Sequence, residues 1–216
     1  GAWYHSAVKY HIDSNIDVIM GELVEIYAGS EPTDNNINKR KPQKFLYIGK
    51  FNENKNVLRL AKAFLNLSEK YENLTLNLVG NGGIQEQKIK ELAKKYPGKI
   101  NFYGPIYDKK ELQKMYQAND IFAMASISET FGLVYLEALT QGLPILYSKN
   151  QGIDGTFKEK VGVSVNAKSI DSIIIGLETL VNNYSTFMID DIDFSRFLWK
   201  DIAKNYMNLY TNILKK

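Results

Sequence analysis

The chain has 216 residues and no cysteine, which removes disulfides, thiolate metal ligands and a cysteine nucleophile together. Histidine is scarce as well: only His5 and His11 occur, both near the start, too few for a histidine-rich metal site or a core Ser-His-Asp triad. Charge of one sign is also lacking. The net charge of +3 is too small to argue for a nucleic-acid partner, and Lys39-Arg40-Lys41, set among Asp34, Asn35, Asn36 and Asn38, reads as a solvated loop. No apolar run reaches the roughly 18 to 20 residues that cross a bilayer, and no signal peptide opens the chain. A cytoplasmic protein without strong membrane binding is expected. Gly1 ahead of Ala2-Trp3-Tyr4 suggests a native start further upstream.

What is present is an ordinary globular composition, 44% hydrophobic and 24% charged, long enough for one full core and an appendage. From Lys44 onward, short β-rich runs alternate with segments of helical period. The runs are Phe45–Ile48, Leu74–Val79, Ile100–Tyr103, Ile121–Met124, Pro144–Tyr147 and a shorter candidate, Val161–Val165. Such alternation implies right-handed crossovers and a parallel sheet. The expected fold is therefore α/β, a doubly wound Rossmann-like sheet with helices on both faces. Ligands of such sheets bind beyond the carboxyl ends of the strands, where this chain places Gly49-Lys50, Gly80-Asn-Gly-Gly83, Gly104-Pro105 and Ser126 to Gly132.

Two acids stand out there. Glu137 lies among Leu133, Val134, Leu136, Ala138 and Leu139, and a carboxylate on such a face is costly unless something polar meets it; a ligand is one candidate. Glu129 has a local alternative, because Ser126-x-x-Glu129 matches a capping box and Thr130 can cap a helix beginning near Phe131. Lys50 and Lys55, in the loop after the first strand, can meet an anion beside a helix N-terminus or be two ordinary surface lysines. The glycines at 80–83 lack the spacing of a dinucleotide fingerprint. A helix N-terminus left open at Gly132, with one acid beside it and a second about two turns along, suits the diphosphate and hydroxyls of a sugar nucleotide.

The segment Glu129-Thr-Phe-Gly-Leu-Val-Tyr-Leu-Glu137, followed by Gly142-Leu-Pro-Ile145, resembles the signature of the retaining glycosyltransferases of family four. Tyr47-Ile-Gly-Lys50, Leu78-Val-Gly-Asn-Gly82, Phe102-Tyr-Gly-Pro-Ile106 and Gly152-Ile-Asp-Gly155 follow the same pattern in the same order. The resemblance implies the C-terminal, donor-binding half of a two-domain GT-B enzyme that moves a sugar from a nucleoside diphosphate to a glycan or lipid-linked acceptor. It implies that Glu137 receives the ribose hydroxyls, Glu129 touches the donor sugar, and backbone N–H groups around Thr130, Phe131, Gly132 and Leu133 hold the diphosphate. Gly49 and Gly80 would border the nucleotide, and the backbone near Ile106 would face the base. Lys50 and Lys55 would counter the charge growing on the leaving group, with no metal and no other cofactor. Lys50 departs from the arginine usual in the family, giving up bidentate phosphate contact. By the same resemblance, residues 1–43 are the end of a missing acceptor-binding N-terminal domain plus a linker, 44–193 the donor domain, and 194–216 an amphipathic helix packing on the domain or its partner. A non-catalytic nucleotide-sugar-binding module on the same fold is the alternative.

Overall fold

The structure, a computed structural model, describes residues 41–194 and Phe197. The expectations for residues 1–40 and for the terminal helix lie outside the described residues. The chain divides into two compact units, Asn36–Asp190 and Gly1–Asn35 with Asp191–Lys216; the sheet belongs to the first.

Among the described residues the strands are β1 (Lys44–Ile48), β2 (Thr75–Val79), β3 (Ile100–Gly104), β4 (Ile121–Ala123), β5 (Ile145–Ser148) and β6 (Gly162–Val165). They alternate with α1 (Val57–Lys70), α2 (Glu86–Lys95), α3 (Lys109–Gln117), α4 (Leu133–Thr140) and α5 (Ile170–Asn182), except that β6 follows β5 with no helix between them. Every pairing is parallel, in the order β3-β2-β1-β4-β5-β6. The doubly wound expectation holds, with strand ends shifted by a residue or two.

Register explains the apolar runs, because a parallel sheet covered on both faces leaves few positions for polar side chains. Phe45, in register with Leu76 and Ile121, faces α1, where its ring meets Phe64 edge-on at 5.6 Å. Helix α5 covers the same face further along: a Cβ added at Gly176 would lie 2.3 Å from Val165 and 2.8 Å from Leu146 side-chain carbons. Leu46 and Phe122, paired in register, point the other way, toward Tyr116 of α3 and Tyr135 of α4, whose rings lie 6.2 and 5.7 Å from Phe122. Helices thus cover both faces. Phe45, Leu46, Tyr47, Phe64 and Phe122 are fully buried, and truncating any of them to Ala is expected to cost about 2–5 kcal/mol.

The helix holding Glu137 starts at Leu133, two residues later than the sequence suggests. Gly132 has φ 78, a left-handed conformation that a right-handed helix cannot contain. It therefore serves as the N-cap, and Glu137 lies four residues into α4, about 6 Å along its axis.

Candidate functional site

The strand order reverses between β1 and β4, so the loops after these two strands diverge and open a crevice at their carboxyl ends. The helices that follow them differ from their neighbours. Asp108 and Ser169 cap α3 and α5 with their side chains, and Glu86 of α2 reaches back to the Gly82 N–H. Helices α1 and α4, which flank the crevice, have no side-chain cap and no acid in the first turn. Their first N–H groups and positive dipole ends favour an anion there.

Two loops are zipped together at this point. Asn54, after β1, donates its side-chain amide to Ser128 O at 2.9 Å and accepts from Ser128 N at 3.0 Å. Its carbonyl accepts from Ile127 N at 2.7 Å. Next to it, Lys55 Nζ lies 2.5 Å from Glu129 Oε2, with the two side chains 26% and 13% exposed. Ser126 Oγ donates to the same carboxylate oxygen at 3.4 Å. The backbone of Glu129 is held from a third loop, its N–H donating to Gln151 Oε1 at 3.1 Å. Buried Tyr47 and Tyr135 sit close enough for the Glu129 charge to add to the rise in their pKa, which burial causes first. Both hydroxyls stay neutral donors, to Lys50 O at 2.7 Å and Met124 O at 2.9 Å.

These contacts correct both capping readings. Ser126 meets the Glu129 carboxylate rather than its N–H, and neither it nor Thr130 caps a helix. The reason is Gly132: with the helix starting beyond it, residues 126–131 form a loop. Thr130 is exposed and Phe131 half-buried, while Leu133, the first residue of α4, is 39% exposed.

Glu137 does meet a polar group within the protein, since Tyr116 donates its hydroxyl to Oε2 at 2.7 Å. Burial nevertheless raises its carboxyl above the ordinary glutamate range, with the Tyr116 bond opposing the rise. Among the described residues no donor reaches Oε1, and no hydrogen bond joins Glu137 to the Lys55–Glu129 pair. Lys50 is exposed, and its backbone is fixed by Tyr47. Gly49 and Gly80 bring the first two loops together: Gly49 N donates to Val79 O at 3.0 Å, and a Cβ at Gly80 would lie 1.9 Å from Gly49 O. Only glycine fits so close an approach. Ile106 stands apart, on a recess of about 740 Å³ between α3 and the face of β2 and β3, with Asn77, Asn101, Tyr103, Tyr107 and Met115. The structure thus joins Lys55 to Glu129, sets Lys50 in the loop of Lys55, and leaves Ile106 on a separate wall.

Sequence reasoning misses Asn54, Tyr116 and Gln151. Asn54 sits in the loop of Lys50 and Lys55, where only the lysines point to a role, and nothing local marks Tyr116 or Gln151. Asn56 is also missed; its buried amide donates to Ala125 O at 2.9 Å and Ala167 O at 2.7 Å. Among the described residues, no three of His, Asp and Glu form a group able to hold a metal ion, and no helix is long and apolar enough to cross a membrane.

Comparison with known proteins agrees with this architecture. The chain is 26% identical over 174 residues to a glycosyltransferase of Methanocaldococcus jannaschii, covering 76% of this chain and 44% of that one. It is 28% identical over 145 residues to the sulfoquinovosyl transferase SQD2 of Arabidopsis thaliana, covering 65% and 27%. The chain therefore spans less than half the length of these curated relatives. Among solved structures, the C-terminal domain of a glycosyl transferase group 1 family protein (LpcC) from Francisella tularensis superposes with a TM-score of 0.62 at 22% identity, covering 85% of this chain and 97% of that one. The pneumococcal O-GlcNAc transferase GtfA, solved with UDP and GlcNAc, gives a TM-score of 0.64 at 21% identity, covering 85% and 38%. These two likenesses establish the GT-B fold. With the profile of the family described as glycosyl transferases group 1 matching residues 30–188, the chain belongs to that family.

Proposed function

We propose that this chain binds the nucleoside-diphosphate sugar of a retaining glycosyltransferase of family four. The observation that carries the reading is the Lys55–Glu129 pair, set at the strand-order reversal beside two helix N-termini without side-chain caps. A diphosphate fits between those dipole ends and the ammonium groups of Lys50 and Lys55, with the N–H groups around Thr130 to Leu133 as further donors. Gly49 and Gly80 leave its approach free of side chains. Glu129 then faces the sugar, Glu137 takes the ribose hydroxyls, and the backbone near Ile106 borders the base.

During transfer the glycosidic bond breaks and its electron pair leaves with the diphosphate, whose growing charge Lys50 and Lys55 counter. The acceptor attacks the face that the diphosphate leaves, through an oxocarbenium-like state, and the anomeric configuration is retained. These residues supply the charge compensation, so no metal or other cofactor is invoked. The glycan or lipid-linked acceptor is held by a part of the enzyme outside this chain, in keeping with the greater length of the relatives. The enzyme works in the cytoplasm, and this chain binds membranes weakly at most.

Calorimetric titration with UDP, GDP and ADP tests the reading; UDP comes first, since GtfA was solved with it. One nucleotide is expected to bind saturably, and Glu137→Ala to weaken it by about 1.5–3 kcal/mol, the worth of a hydrogen bond to a charged group. A folded chain that binds none of the three sinks the proposal.

A further inference from the structure

Glu129 is held by contacts of two kinds. Its carboxylate meets Lys55 and Ser126, and both contacts act on the group that faces the donor. A bound diphosphate competes for the Lys55 ammonium, so the ion pair is weakest when the orientation of Glu129 matters most. The third contact is indifferent to ligand charge: Gln151 Oε1 accepts from the Glu129 backbone N–H at 3.1 Å.

The loop carrying Gln151 is built to hold its place. It leaves β5, and Asp154 closes it by accepting from Asn150 N at 2.6 Å while Asp154 N donates to Gln151 O at 2.9 Å. Ile153 anchors it at 2% exposure. Gly152 lies flat against the Glu129 segment, where a Cβ would come within 2.8 Å of Phe131 O and 3.1 Å of Glu129 Cγ. The loop after β5 is thus a template for residues 129–131, touching backbone as well as side chain. Resting on the donor-site reading above, we propose that Gln151 is a positioning residue which fixes Glu129 toward the donor sugar through that backbone N–H. It acts through Glu129 and touches no reacting atom. Its removal is felt more at the sugar than at the nucleotide, because Lys50, Lys55 and the start of α1, which meet the diphosphate, follow β1, and Gly152 still backs Phe131 in the variants.

The test uses the 216-residue chain with Gln151→Met, which keeps the length of the side chain and removes its carbonyl, and Gln151→Ala as a second variant. Calorimetry compares UDP, GDP and ADP with their glucose conjugates, and 15N relaxation reads the order of the Glu129 amide in the ligand-free chain. Each variant is expected to lower affinity for the nucleotide sugar about tenfold, roughly the loss of one hydrogen bond, to leave the bare nucleotide within about twofold, and to loosen the amide. Equal weakening of both ligands, or an amide as ordered as in the unsubstituted chain, overturns the proposal. If the unsubstituted chain binds none of the ligands, the donor-site reading is what fails, and the amide still decides whether Gln151 holds Glu129.

Discussion

Glu137 is held in a compromise between burial and one hydrogen bond. Its surroundings raise its carboxyl above the usual range while the Tyr116 hydroxyl opposes the rise. In the unfolded chain the group titrates near the ordinary glutamate value of about 4.3. Below that value both states bind the proton, and the contribution of Glu137 to stability is full. As pH climbs through the folded pKa, the unfolded chain releases its proton first, and that contribution is lost. Glu137→Gln keeps an acceptor for Tyr116 and removes the ionisation. It is expected to raise the melting temperature at pH 7 to 8, with the gain vanishing by about pH 4. Paired thermal unfolding curves at pH 4 and 8 decide the point: a variant less stable than the parent at pH 8 means the ionised carboxylate is better solvated than its burial implies.

At the scale of elements, the segment between β4 and α4 shows what a sequence can and cannot reveal. The strand-helix alternation was legible because buried parallel strands are apolar on both faces and each β-rich run except β5 is followed by a helical one. The start of α4 was not, since it depends on Gly132 adopting φ 78. A capping box is a local pattern, whereas the Glu129 N–H found its partner 22 residues further on. Glu137 was recognisable as anomalous, but the hydroxyl that meets it comes from a different helix, 21 residues earlier. Lys55 and Glu129, 74 positions apart, came together only through the sheet order. Gly132→Ala tests the boundary directly. The left-handed conformation costs an alanine about 1–2 kcal/mol, and the added Cβ would sit 2.6 Å from the Tyr135 ring, which is fixed by its bond to Met124 O. The variant is expected to lose about 2 kcal/mol or more in urea unfolding, from backbone strain plus overpacking, and to bind nucleotide less tightly as the start of α4 shifts. A loss under about 0.5 kcal/mol would mean that the loop relaxes freely and that Gly132 does not set the helix start.

Across the whole sheet, one buried side chain connects loops that the topology keeps apart. Asn56 precedes α1 in a left-handed conformation, φ 58, at 6% exposure. Its amide ties the end of β4, at Ala125 O, to Ala167 O beyond edge strand β6. Arg59 adds a second link to Ala167 O at 3.1 Å and donates to Asn56 Oδ1 at 2.6 Å. The central crevice and the far edge are therefore coupled through Asn56, on the loop that also carries Asn54 and Lys55, with Arg59 of α1 supporting it. Two effects combine in Asn56→Ala: a left-handed alanine, at about 1 kcal/mol or more, and carbonyls left without their amide donor, at about 1–3 kcal/mol for each one that stays dry. Asn56→Gly removes the same bonds but tolerates the backbone, so the difference between the variants isolates the conformational part. Urea unfolding is expected to show both variants losing at least about 2 kcal/mol with the denaturant slope unchanged, and glycine retaining about 1 kcal/mol more than alanine. Should the glycine variant match the parent, the amide links contribute nothing net, and the two loops are held together by packing alone.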